Sequence, residues 1–137
     1  MRALGVHHVS LNVDDVPAAV EFYVETLGCS VRGDRPDFGF GGAWLDIGGQ
    51  QIHLIEAAPA ADLGQHLALQ VDDLDACVGE LRESGVKVSD PSPVGTGLQA
   101  FLHDPAGNLV ELRQADVRGR REPRGRRRRG ARRPAGG

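Results

Sequence analysis

The chain has 137 residues, 40% of them apolar, and a formal charge of −3, which suits one domain with a real core and is too short for two independent ones. No apolar run approaches the roughly 18–20 residues of a membrane span. No signal-peptide pattern opens the sequence, and Cys29 and Cys77 form no CxxC pair, so a cytoplasmic protein with reduced thiols is expected.

Alternation over His8–Val13 predicts a strand with Val9, Leu11 and Val13 on one face and His8, Ser10 and Asn12 on the other. Asp14 or Asp15 then caps a helix over about Val16–Leu27, with Pro17 in its first turn and Gly28 as the C′ residue. Val20, Val24 and Leu27, with Phe22 or Tyr23, form its apolar stripe. After Cys29–Arg32 a polar, Gly-rich loop covers Gly33–Gly39. Strands follow at about Gly41–Ile47 and Gln50–Glu56, joined by a Gly48-Gly49 turn. Ala57–Leu63 reads as a linker. The scheme then recurs: strand His66–Val71, capped helix Leu74–Ser84 ending at Gly85, strand Val86–Ser89, loop Asp90–Gly97, strand Gln99–His103, turn Asp104–Gly107 and strand Asn108–Arg113.

The recurrence is also literal. His8-Val9-Ser10-Leu11-Asn12-Val13-Asp14-Asp15 returns as His66-Leu67-Ala68-Leu69-Gln70-Val71-Asp72-Asp73, and Gly49–Leu54 is echoed by Gly107–Leu112, both at an offset of 58 residues. Two segments sharing one period mark an internal duplication. It brings His8, His53, His66 and Glu111 into corresponding positions, and all four are metal-ligand types. Period-two patterning turns each of them away from the aliphatics that cover a helix, toward the concave side of a curled sheet. Two His and a carboxylate with open coordination positions suit one divalent ion (Fe, Ni, Zn, Mn or Co), which can polarise a carbonyl or hold two vicinal oxygens. A lone His is more often a partnered structural residue; four candidates in register favour metal binding. His7 is read as facing the helix side or solvent, and His103 as a rim residue. Phe101 and Trp44 are candidate cavity walls, Trp44 alternatively plain core. The repeated aspartates are read as helix caps.

The charge is lopsided. Up to Val117 there are 6 Lys/Arg against 18 Asp/Glu, and from Arg118 onward 10 Arg against one Glu. Residues 118–137 read as a disordered basic tail. It lacks aromatics for base stacking, so a dispensable tail is preferred over a nucleic-acid arm. A single domain is expected over 1–117, with modules at about 6–57 and 64–115.

The paired βαβββ scheme, the His-x-x-Leu-x-Val-x-Asp openings, Phe22–Gly28 and the closing Asp104–Leu112 segment resemble the vicinal oxygen chelate superfamily, which includes glyoxalase I, extradiol dioxygenases, methylmalonyl-CoA epimerase and bleomycin-binding proteins. The resemblance covers about Val6–Arg113. It implies an α+β fold of two tandem βαβββ modules whose curled mixed sheets surround a cavity. It carries the family's ligand positions onto His8, His66 and Glu111, with position 53, variable in the family, occupied by His53. It also implies a homodimer whose metal sites are shared between subunits, and a small-molecule substrate.

The leading expectation is a metal-dependent lyase or isomerase acting on a substrate with adjacent oxygens. Glu111 would move the proton, and His53 would serve as fourth ligand or as a base suited to neutral pH. True glyoxalase I is expected to carry a second glutamate where His53 stands. The alternatives are an Fe(II) extradiol-type dioxygenase, a thiol transferase to an epoxide antibiotic, with Ser10 two residues beyond the first ligand, and a metal-free drug-binding protein.

Overall fold

The computed structural model describes residues 1–115; the basic tail lies outside the described residues. The first module runs β1 (His8–Val13), α1 (Val16–Glu21), a π-helical turn (Phe22–Thr26), β2 (Ser30–Val31), β3 (Gly42–Ile47) and β4 (Gln50–Glu56). The second runs β5 (Leu67–Gln70), α2 (Leu74–Glu83), β6 (Ser92–Val94), β7 (Gly97–His103) and β8 (Leu109–Gln114). Their sheets have the same order, β1-β4-β3-β2 and β5-β8-β7-β6. In each, the first strand lies parallel to the last and the remaining pairs are antiparallel. The fold is therefore α+β, with two curled, mixed, four-stranded sheets. No helix among the described residues is long and apolar enough to cross a membrane.

Local chemistry sets the helix ends. The Asp15 and Asp73 carboxylates each accept a backbone N–H of the first turn, from Ala18 and Ala76, both at 3.1 Å, satisfying donors that have no partner within the helix. Gly28 and Gly85 both take φ of 81° at the C-terminal ends, where a side chain would be strained. The first helix departs from a regular pattern: Leu27 N–H donates to Phe22 O at 3.2 Å and Cys29 N–H to Tyr23 O at 2.9 Å. Adjacent residues on an α-helix point about 100° apart, so one of Phe22 and Tyr23 was expected inward. The wider turn buries both.

Two strands differ from expectation. Val86–Ser89 makes only a single bridge, Val88 to Leu102, while the expected loop at Asp90–Gly97 contains β6, which pairs with β7 across Gly95. Pro91 and Pro93 cannot donate to a ladder, and that confines this strand to the sheet edge without forbidding it.

Val13, Leu45, Ile52 and Leu54 pack with Ala19 and Tyr23, and Ala100, Leu102, Val110 and Leu112 with Leu74, Val78 and Leu81, in one hydrophobic core. A buried polar cluster joins the modules. Tyr23 Oη donates to Asp104 Oδ2 at 2.8 Å, and burial, with the Asp104 charge, pushes the Tyr23 hydroxyl pKa far up. Asp104 Oδ1 also accepts the backbone N–H groups of Ala106 and Asn108. Asn108 Nδ2 reaches both Asp104 Oδ2 and Asn12 O. The helix faces being filled in this way, the opposite faces of the two sheets are left for other use.

Candidate functional site

On the first sheet β4 runs between β1 and β3, and His53 is in register with Ser10 on one side and Trp44 on the other. Neighbours in register point to the same face, which gathers three rings. His53 stacks on His8 with centroids 3.9 Å apart and planes 13° off parallel, and on Trp44 at 4.5 Å and 12°. Gln51, two residues before His53 and so on the same face, accepts from His53 Nε2 at 2.9 Å, an arrangement that leaves the lone pair on Nδ1. Desolvation, then the neighbouring His8 and His7, lower the His53 pKa below its ordinary value. That shift favours the neutral imidazole, the form that binds a metal.

His7 is exposed, as its solvent-facing reading has it, yet it also borders the site. Its Nδ1 lies 2.9 Å from His8 Nδ1, and it lines the same cavity. The residue sits one position ahead of β1, where strand alternation no longer governs side-chain direction. The cavity, about 390 Å³, is lined by His7, His8, Ser10, Trp44 and His53, and on its far wall by Arg35, Phe38 and Phe40.

On the second sheet β8 carries Glu111 in register with Phe101 and Ala68. Glu111 is buried, and its Oε1 lies 3.2 Å from His66 Nε2. Gly64 O accepts from His66 Nδ1 at 2.8 Å, and Phe101 meets the His66 ring edge-on at 5.5 Å. Arg113 Nη1 stands 3.9 Å from Glu111 Oε2. The Gly64 carbonyl and then Glu111 raise the His66 pKa. A ring that donates from Nδ1 and is neutral turns the Nε2 lone pair toward a carboxylate oxygen. That contact is favourable only with a positive charge present, a proton on Nε2 or a cation bound by both groups. A backbone carbonyl on the far ring nitrogen is also how metal-ligating histidines are commonly oriented.

The four candidate ligands therefore meet as two pairs, His8 with His53 and His66 with Glu111. Among the described residues no group of three or more His, Cys, Asp or Glu side chains converges in a way that could hold an ion. The donor chemistry, three imidazoles and one carboxylate, fits a divalent metal, but each pair supplies only half a coordination shell. His103 is joined to Asp62 at 2.8 Å on the exposed rim, and Asp62 lines a cleft together with His66. Ser10 also lines a second cleft of about 300 Å³ between β1 and β5, together with His66.

Sequence reasoning missed His7, Gln51, Arg35, Phe38 and Phe40. For Gln51 a signal existed, since the alternation that places His53 also places its neighbour two residues back. The loop residues carried none beyond an aromatic pair spaced around Gly39.

A family model described as "Glyoxalase/Bleomycin resistance protein/Dioxygenase superfamily" matches residues 5–112. A Vibrio cholerae protein named "Probable lactoylglutathione lyase" is 31% identical over 121 residues, covering 78% of this chain and 88% of the relative. The "Ethylmalonyl-CoA/methylmalonyl-CoA epimerase" of Cereibacter sphaeroides is 30% identical over 129 residues, covering 80% and 96%. Among solved structures, an antibiotic binding protein from Streptomyces superposes with a TM-score of 0.72 at 31% identity, over 85% of this chain and 99% of that one.

Proposed function

Because the chain belongs to the glyoxalase/bleomycin resistance protein/dioxygenase superfamily, we propose that it is a metal-dependent lyase or isomerase working as a homodimer. His8 and His53 of one copy, with the partner's His66 and the partner's Glu111, would hold one divalent ion. The observation that carries this reading is the split donor set: two pairs, 58 residues apart in the duplication, each on an open sheet face and each incomplete alone. His8, Ser10 and His66 are exposed in the single chain, as expected of faces that a second copy covers. Relatives named as a lyase and an epimerase support proton-shifting chemistry on a carbonyl compound over oxygen activation.

When bound, the ion would polarise a carbonyl and hold two adjacent oxygens of a small substrate. This chain's residues supply the rest. Glu111 is the one carboxylate among the four donors, and it takes and returns the proton alpha to the carbonyl. His53, neutral and buried against Trp44, orients rather than charges the site, and Gln51 fixes its ring. Trp44 and Phe101 exclude water from the two sides. His53 replaces the second carboxylate expected of a true glyoxalase I, so a substrate other than a glutathione hemithioacetal is favoured.

Complementary inactivation tests the shared site. One chain carries His8→Ala and His53→Ala, the other His66→Ala and Glu111→Ala; neither alone should retain metal. In refolded mixtures, heterodimers would regain one intact site and one fully dead site, so metal binding and turnover return together. A site built within one chain predicts no recovery at any mixing ratio.

A second reading is favoured by the aromatic cavity and by the similarity to an antibiotic binding protein: capture of a flat ligand without turnover. Purified protein that takes up no stoichiometric metal, yet binds such a ligand, would put this reading first.

A further inference from the structure

One wall of the first-sheet cavity is not explained by the metal donors. The loop expected over Gly33–Gly39 reads as plain polar connection, yet Arg35, Phe38 and the adjoining Phe40 line the cavity with Trp44. Phe38 and Phe40 remain 48% and 49% exposed. They stack on each other at 5.5 Å and 16°, and Phe38 leans toward Trp44 at 6.1 Å and 49°. Rings left half in water beside a third ring offer a surface that a ligand ring would cover.

Arg35 is braced over these rings. Its guanidinium carbon lies 5.1 Å from the Phe38 centroid and 5.6 Å from that of Phe40. Its Nη2 donates to Phe40 O at 2.9 Å. It also lies close over Gly42, where an added Cβ would come within 3.0 Å of Nη2. What it lacks is a carboxylate. Arg32 is bound by Asp34 and Asp46, Arg82 by Asp90, and Arg113 approaches Glu111; no described residue forms an ion pair with Arg35. Arg2 and Lys87 also form no ion pair among the described residues; what sets Arg35 apart is its place in the lining of this cavity. A fixed guanidinium with unused N–H donors matches the geometry of a carboxylate.

We propose that this cavity binds an aromatic monocarboxylate, with its ring against Phe38, Phe40 and Trp44 and its carboxylate on Arg35, the specificity-determining residue. Treating this ligand as the substrate rests on the metal-enzyme reading above. Its binding does not, because Arg35 and the rings act without the metal.

Trp44 is the single tryptophan of the chain, so intrinsic fluorescence reports on ligand entry. Full-length protein stripped of metal by chelation is titrated with cinnamate and with its neutral analogue cinnamamide, and calorimetry checks the affinities. Cinnamate should bind saturably and at least roughly tenfold more tightly than the amide, as a charge-assisted hydrogen bond implies. Arg35→Gln should bring the two affinities together, and Phe38→Ala should weaken both. If Arg35→Gln fails to fold, wild-type affinity against salt decides instead: cinnamate binding should weaken as salt rises and amide binding should not. Equal affinities in wild type, an anion preference that survives Arg35→Gln, salt-independent cinnamate binding or no saturable quenching would overturn the proposal. Failure of metal binding with the anion preference intact would overturn the metal-enzyme reading alone.

Discussion

The two modules share strand order, capped helices and sequence period, and they differ in what their last strands present to the open face. In the first, β4 sets His53 between His8 and Trp44, a stack of three rings in which desolvation shifts the imidazole toward its neutral form. In the second, β8 sets Glu111 beside His66 and near Arg113, an ionic cluster. The helix-covering faces stayed alike: Ile52 and Leu54 in one, Val110 and Leu112 in the other, all buried. Packing density constrains that side, where a lost methylene is felt, and leaves the opposite side free to diverge. Divergence made the halves complementary. A site combining one of each gains neutral imidazoles and a negative charge, whereas two like halves would give either no carboxylate or two.

Removing the carboxylate should break that complementarity most. Glu111→Ala is expected to weaken metal binding by about a hundredfold or more, beyond the roughly 10–100-fold lost with an outer partner of a metal ligand. His53→Ala should cost less, since imidazoles remain and no charge is lost. Chelator competition on both variants measures the ratio, and equal losses would mean the halves are not functionally distinct.

The next contrast is between two aspartates one period apart, Asp104 and Asp46. Asp104 is buried and accepts from Tyr23, Ala106 and Asn108; Asp46 is partly exposed and pairs with Arg32. Asp104→Ala leaves the buried Tyr23 hydroxyl and the part-buried N–H groups of Ala106 and Asn108 without their acceptor and should destabilise by about 3 kcal/mol. Asp46→Ala, at a surface ion pair, should cost about 0.5 kcal/mol. Urea unfolding separates them readily. Where the modules are alike the effects should be alike as well: Asp15→Ala and Asp73→Ala each remove a helix cap worth about 1 kcal/mol, to be read from the same urea curves.

How much of this was legible in the sequence follows from which physical signal each feature carries. His8, His53, His66 and Glu111 could be placed on open faces because strand alternation is a local rule and the duplication checked it twice. Gly28 and Gly85 were readable because only a glycine sits comfortably at φ of 81°. Three kinds of feature stayed hidden. The π-helical turn that buries Phe22 and Tyr23 together depends on a core formed by distant strands. The Tyr23–Asp104 bond spans 81 residues of sequence, and no local pattern encodes such a partner. The Arg35, Phe38 and Phe40 wall comes from a loop without period, where side-chain direction is set by what the loop packs against.

The pH response offers the finest test of the contrast, because the two histidines shift in opposite directions. His66, raised by the Gly64 carbonyl and Glu111, is the case of a base stabilised in its charged form. Its contribution to folding is complete below the unfolded value of about 6.5 and is lost as pH rises through the higher folded pKa. His53, lowered by desolvation and by His8 and His7, is the reverse. Its neutral form is favoured in the fold, so its contribution is present above about 6.5 and is lost as pH falls toward the lower folded pKa. In metal-free protein, His66→Gln should therefore reduce the fall in stability on the alkaline side of that value, and His53→Gln the fall on the acid side. Ring-proton titrations in the same protein should place His53 below His66. If both rings titrate together near the ordinary value, the stacked pair and the ionic pair are not the distinct environments that the two sheets create. On the proposed reading, metal binding reports the same asymmetry independently. An ion held by both rings would compete with protons at each, so affinity should climb as pH rises through the lower His53 pKa and again through the higher His66 pKa.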